Sequence, residues 1–448
     1  MKTRVHFLFV VIVFFTACTR GHRSSADEQK HSQDSALATP LPPNLIPDSL
    51  PAPGKSSVLF ADVIGWPQGK TPVAPSSFKV SKYADGFDNP RWIYITPNGD
   101  VLVAEANGAS SVIEKIESKI IGKSKSVNTH KSANRITILA DKDNDGVPEI
   151  RQTFLSGLNQ PFGMLAIENQ FYVANTDGLY EYPYQAGQTE IKADGKKIVS
   201  LPKGGYNNHW TRNIITNTKH NKIYIAVGSG SNAAEHGMDN EIRRANILEV
   251  NIDGSGEKII ASGLRNPVGM DWAPGTTDLW TAVNERDELG DELVPDYMTR
   301  VQEGAFYGWP YAYFGKNLDP RIKEKDQRPD LVAKAIKPDV SLGAHTASLG
   351  LVFYTAKAFP SKYHNGAFVT QHGSWNKSTL SGYKVVFVPF RHGKPSGPPE
   401  DFLTGFMAND GKNNVYGRPV GIAQMQDGSL LVSDDASNTL WKIEAEKK

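Results

Sequence analysis

One strand pattern, apolar on both faces and ending in small or polar residues, occurs six times along this 448-residue chain. It reads Asp100-Val101-Leu102-Val103-Ala104-Glu105, Gln170-Phe171-Tyr172-Val173-Ala174-Asn175 and Lys222-Ile223-Tyr224-Ile225-Ala226-Val227. It returns as Asp278-Leu279-Trp280-Thr281-Ala282-Val283, Ala367-Phe368-Val369-Thr370 and Ser429-Leu430-Leu431-Val432-Ser433. Counted from the first apolar residue of each copy, the separations are 70, 52, 56, 88 and 63 residues. Self-similarity at this length points to one supersecondary unit used repeatedly, because each unit buries its apolar face only against the next.

A second mark precedes most copies. It reads Asn89-Pro90-Arg91, Gln160-Pro161-Phe162-Gly163, His209-Trp210-Thr211-Arg212, Asn266-Pro267-Val268-Gly269 and Arg418-Pro419-Val420-Gly421, with a looser copy at Ala347-Ser348-Leu349-Gly350. Turns such as Pro97-Asn98-Gly99 and Gln426-Asp427-Gly428 lead into strands as hairpin turns do. The 40 Gly and 28 Pro suit many short strands, and no stretch shows a long helical period. These units predict an all-β fold, a six-bladed β-propeller of four-stranded antiparallel sheets, with the largest loop insertion between 285 and 366. A seven-bladed propeller or a two-domain β protein is the alternative.

Before the repeats the chain changes character. Lys2 and Arg4 precede an unbroken apolar run from Phe7 to Phe15, far short of the roughly 20 residues of a membrane-spanning helix. Such a run fits a signal peptide, and Phe15-Thr16-Ala17-Cys18 resembles the cleavage box of a bacterial lipoprotein. Residues 1–18 are therefore expected to be a leader with Cys18 as the lipidation site, which places the protein on the periplasmic side of the outer membrane or on the cell surface. Cys18 is the single cysteine, so an internal disulfide is excluded. Residues 19–55, rich in Ser, Pro and charge, read as a disordered tether, and residues 56–448 as the propeller. A net charge of +1 without a basic run gives no support to a nucleic-acid partner.

In a propeller the innermost strands line an axial channel, and the turns that enter them open on one face. Equivalent turns would gather Arg91, Gln160, His209, Arg265, Asn266 and Arg418 into one ring, with His345 and His372 joining them. So many cations in one small volume are costly unless an anion is present, and Arg suits planar carboxylates. Each residue alone reads more readily as a solvated turn residue or a structural pair; it is the recurrence at one place in the repeat that favours a site.

The ordered set Gly263-Leu264-Arg265-Asn266-Pro267-Val268-Gly269, His209-Trp210-Thr211-Arg212-Asn213, Tyr307-Gly308-Trp309-Pro310, His372-Gly373-Ser374-Trp375-Asn376 and Gly417-Arg418-Pro419 resembles the soluble quinoprotein sugar dehydrogenases, in particular the L-sorbosone dehydrogenase-like branch. The likeness spans roughly residues 75 to 445. It implies a propeller that binds pyrroloquinoline quinone (PQQ) and Ca²⁺ and oxidises a sugar or related alcohol. His209 matches the general base, and Arg265, Asn266 and Arg418 match positions that hold the cofactor. Calcium would meet the carbonyls of Arg286 and Asp287, and Asp291 and Glu292 would hold a second ion. His372 or Lys377 would take the place of a cofactor-contacting lysine. No Cys-x-x-Cys-His motif is present, so electrons would leave to a separate acceptor, a cytochrome or a quinone. Asp141-Lys142-Asp143-Asn144-Asp145-Gly146 begins like a calcium loop, but Gln152 stands at its twelfth position, so a charged hairpin turn is the competing reading. A calcium-dependent propeller lactonase or esterase, and a non-catalytic propeller that binds glycans or proteins, are the competing functions.

Overall fold

The computed structural model describes residues 45–108, 123–126, 131–143 and 145–446; Cys18, the leader and residues 19–44 lie outside the described residues. Six antiparallel sheets form a six-bladed propeller. Blade 1 contains Pro90–Ile95, Val101–Glu105, Arg135–Ala140 and Ile150–Leu155. Blade 2 contains Met164–Ile167, Gln170–Asn175, Gly178–Pro183 and Lys196–Ser200. Blade 3 contains Ile214–Thr216, Lys222–Val227, Asn246–Asn251 and Lys258–Ser262. Blade 4 contains Pro267–Trp272, Leu279–Val283, Pro295–Arg300 and Val340–Ala344. Blade 5 contains Ser348–Phe353, Ala367–Gln371, Lys384–Val388 and Glu400–Leu403. Blade 6 contains Pro419–Gln424, Leu430–Asp434 and Thr439–Ala445, completed from the other end of the chain by Phe78–Asp85.

The six repeated copies in the sequence are the second strands. They read as nearly continuous apolar runs because they are covered on both faces: every residue of Val101–Glu105, Leu279–Val283, Ala367–Gln371 and Leu430–Asp434 is buried. The repeated turns enter the first strands, which pack against one another around the axis. The turn's glycine makes that packing possible. A Cβ on Gly269 would sit 2.4 Å from the backbone nitrogen of Leu351 in blade 5, and one on Gly421 would sit 2.8 Å from the carbonyl of Arg91 in blade 1. At four of these entries the pairing register slips just after the proline or its equivalent, so the backbone opens toward the axis there.

Two features depart from the sequence reading. Blade 3 carries a fifth strand, Ala305–Phe306, which pairs parallel with Lys258–Ser262. The folded body also begins earlier than residue 56: Leu45 is buried and its carbonyl accepts from the Ser341 amide at 2.8 Å. The Gly54 amide donates to the Leu289 carbonyl at 2.8 Å. Residues 45–55 are therefore docked on the propeller, because Leu45, Ile46 and Leu50 supply apolar surface that the average composition of the segment conceals.

Candidate functional site

Residues that enter the first strands and residues that leave the second strands meet at the same end of each blade. His209 illustrates both. It precedes the first strand of blade 3, and its Nδ1 lies 2.8 Å from the Ser229 carbonyl, two residues beyond the second strand. A carbonyl only accepts, so Nδ1 carries the proton and Nε2 keeps its lone pair. Burial, then the charge of Arg265, pushes the imidazole well below its ordinary value, although the Ser229 carbonyl opposes the shift. His209 is thus a neutral imidazole whose free nitrogen is an acceptor. Gly228 makes room for it: a Cβ there would stand 2.6 Å from the His209 Cβ and 2.4 Å from Asn266 Oδ1. Asn266 Oδ1 is buried and has no hydrogen-bond partner.

The three ring arginines are buried or nearly so, and most of their donors are engaged. Arg265 donates to the carbonyls of Asn232 (3.2 Å) and Glu285 (2.6 Å) and to Asn232 Oδ1 (2.9 Å), and it lies 3.3 Å from Asp287 Oδ2. Arg418 donates to the carbonyls of Ser126 (2.8 Å), His372 (3.0 Å) and Gly373 (3.1 Å), and makes no ion pair among the described residues. Arg91 pairs with Asp435 Oδ2 and lies over Trp210 at 5.7 Å, while its Nε is buried without a partner.

Asp435, like Ser229, is a residue that the sequence did not single out. Its other oxygen accepts from His372 Nε2 at 2.9 Å, so one buried carboxylate joins Arg91 and His372. Burial raises this carboxyl, but His372, Arg91 and Arg418 outweigh it and hold it below the ordinary range. Burial, followed by the Arg418 charge, lowers His372 to about 4, so His372 is neutral and donates through Nε2. On the blade 4 side Asp287 plays the same part. It faces Arg265 and His345, whose Nε2 donates to the Gly290 carbonyl at 2.8 Å. Burial opposes, yet Asp287 and that carbonyl raise His345 above its ordinary value. The ring expected to be dominated by Arg and His therefore contains its own carboxylates as well. Gln160 donates to the Asn107 carbonyl at 2.9 Å from a backbone with φ +50°.

The residues assigned to calcium are used otherwise. The carbonyl of Asp287 accepts from Arg286 Nε (3.1 Å), Arg286 Nη2 (3.0 Å) and Asn232 Nδ2 (3.3 Å), so a guanidinium and an amide already occupy that face of the oxygen. The Arg286 side chain is fully buried against Asp319, and burial brings it down to about 10. Asp291 accepts from the Ser378 hydroxyl, and Glu292, 69% exposed, pairs with Lys377 Nζ at 3.1 Å. Lys377 is thereby spent on the loop rim instead of the ring. Among the described residues one acidic group has metal-ligand spacing, Asp141, Asp143, Asp145 and Glu149, whose ligand atoms lie within 4.8 Å of one another on blade 1's outer hairpin. Glu149 had not been counted in that motif, and Asn144 lies outside the described residues.

Comparison with known proteins adds an independent line. A family model described as TrAA12-like matches residues 72–313 and 314–446. An uncharacterised protein of Borreliella burgdorferi is 31% identical over 305 residues, covering 66% of this chain and 78% of that one. A pyrroloquinoline quinone-dependent pyranose dehydrogenase of Coprinopsis cinerea is 32% identical over 127 residues, 25% of this chain and only 17% of that enzyme. The holo form of the PQQ domain of the C. cinerea pyranose dehydrogenase superposes with a TM-score of 0.67 at 21% identity, covering 86% of this chain and 100% of that domain.

Proposed function

The chain belongs to the TrAA12-like family, and from that premise we propose that it is a PQQ-dependent sugar dehydrogenase in which His209 is the general base. The observation that carries this reading is the state of His209: neutral, fixed by Ser229 through Nδ1, with Nε2 left as an acceptor and the Arg265 charge acting on the ring. A base with a depressed pKa takes a hydroxyl proton without first having to lose its own. The same ring fits a polycarboxylate quinone. Arg418 has only carbonyl partners, the Arg91 Nε donor and the Asn266 Oδ1 acceptor are buried and unpartnered, and Arg is suited to carboxylates. When bound, PQQ supplies the hydride-accepting chemistry. The chain's own part is to orient the sugar hydroxyl toward His209, receive its proton at Nε2, and hold that charge against the Ser229 carbonyl.

The Asp287 carbonyl does not fit a calcium ion, because a guanidinium and an amide already donate to it. The sorbosone-like substrate, the separate cytochrome or quinone acceptor and the lipid anchor at Cys18 on the outer membrane belong to the same proposal. The test is titration of the purified protein with PQQ, with and without Ca²⁺, followed by dye reduction across aldoses and sugar alcohols. Saturable binding with dye reduction that disappears in His209→Gln is the expected result. Absence of PQQ binding under both conditions refutes the reading.

A further inference from the structure

Beside the base lie two buried arginines without a direct ion pair among the described residues, Glu241 being the one acid that acts on Arg244. Arg212 is 0% exposed. Its Nη1 donates to the carbonyls of His209 (2.7 Å) and Thr211 (2.8 Å), and its Nη2 to the Pro202 carbonyl (2.7 Å) and Asn207 Oδ1 (3.1 Å). Arg244, also buried, donates to the same Asn207 Oδ1 at 2.7 Å and to the Gly204 carbonyl at 3.1 Å. The Nε of each is buried without a partner, and neither forms an ion pair among the described residues. Two cations side by side in the interior without a direct ion pair are expensive, and a neutral side chain could rivet a loop at lower cost.

Their placement explains why charge is retained. Every acceptor they grip belongs to the segment 202–211, which carries His209, and one of them is the His209 carbonyl itself. From the opposite side Glu241 accepts from the Gly230 amide (2.7 Å) and the Ser231 hydroxyl (2.5 Å), fixing the loop whose Ser229 receives His209 Nδ1–H. We propose that Arg212 and Arg244 are positioning residues, a paired-guanidinium clamp that locks the 202–211 loop and keeps the His209 imidazole a proton acceptor. This rests on the reading of His209 as the base. The charged groups that act on the imidazole are Arg265, Arg212 and Arg244, which reinforce burial in that order, while Glu241 acts on Arg244. The clamp itself feels the density: burial, then Arg244, lowers Arg212 to about 9.

The experiment is NMR of ring-labelled histidine in the full-length cofactor-free protein, with His209 assigned by its loss in His209→Gln. Arg212→Gln is expected to raise the His209 protonation midpoint by about one pH unit or more, the shift expected when a nearby like charge is removed. Arg244→Gln should raise it less, in the same direction. Arg212→Lys should leave the midpoint near the wild-type value because the charge stays. It should still lower dye-linked turnover, because one ammonium cannot reach four acceptors. A folded Arg212→Gln protein with an unmoved midpoint overturns the clamp. Where that variant fails to fold, an unmoved midpoint in Arg244→Gln does the same. The two readings separate cleanly. A raised midpoint in a protein with no sugar turnover keeps the clamp and rejects the dehydrogenase. An unmoved midpoint beside normal wild-type turnover rejects the clamp alone.

Discussion

Replacing Asp435 by Asn preserves shape and removes the one charge that Arg91 and His372 share. The Asp435 side chain is 8% exposed and that of Arg91 13%, so water can do little to replace it. Breaking one side of a buried pair costs about 3–5 kcal/mol, because the remaining cation stays desolvated. Here Arg418 adds a second cation to the same volume. Unfolding entropy of about 2.1 cal/mol/K per residue over roughly 400 residues gives ~0.8 kcal/mol/K, so the loss corresponds to a Tm lower by about 4–6 °C. The pH dependence follows from the direction of the shift. The Asp435 pKa is depressed in the fold, so its contribution is fully present above the unfolded carboxylate value near 3.9 and is lost as pH falls through the folded value. Differential scanning fluorimetry at pH 7 and again below pH 4 is the assay. The gap between wild type and Asp435→Asn should be full at neutral pH and should close on acidification. A variant that melts with the wild type at pH 7, or a gap indifferent to pH, refutes the view of Asp435 as the ring's internal counter-ion.

Other perturbations test neighbouring claims. His209→Gln should keep the wild-type Tm, since the side chain is not part of the core, and reduce dye-linked turnover by about 10²–10⁴. In the wild type the acid limb of kcat/KM should lie below the ordinary histidine value of about 6.5, as the lowered His209 requires. Gly228→Ala forces a Cβ to 2.4 Å from Asn266 Oδ1 and 2.6 Å from the His209 Cβ. A displacement approaching 1 Å at the base should cost on the order of 10²-fold in kcat with little change in Tm. Asp319→Asn strands the fully buried Arg286 and should lower Tm by about as much as Asp435→Asn does, measured by the same fluorimetry.

How much of this was readable in advance depended on periodicity. The second strands repeat because both of their faces are covered, and the turn glycines repeat because adjacent first strands touch there, as at Gly269 and Gly421. Both constraints act at every blade, so they leave a pattern in one sequence. Asp435 and Ser229 were missed although a signal existed. They follow the second strand just as His372 does, so the aligned copies pointed to a second set of axial positions one or two residues past each strand end. The uses of Arg286 and Lys377 had no such signal. Asp319 reaches Arg286 from the long insertion within blade 4, and Glu292 meets Lys377 across two loops that no repeat relates. The docking of residues 45–55 was hidden for a different reason, since a handful of apolar side chains seat a segment whose average composition is polar.

The closure of blade 6 has a consequence for how such a chain reaches its folded state. Phe78–Asp85 pairs with Thr439–Ala445 along the whole outer edge, so the ring is shut by hydrogen bonds between segments more than 350 residues apart. A chain emerging from a ribosome or a translocation channel amino end first presents Phe78–Asp85 as an open edge, and its partner arrives only after the other five blades. Until then five blades stand as an open arc with two raw margins, a state in which any passing strand is a rival for the seam. Thr439–Ala445 thus acts as a latch, and its pairing with Phe78–Asp85 converts an open arc into a closed ring.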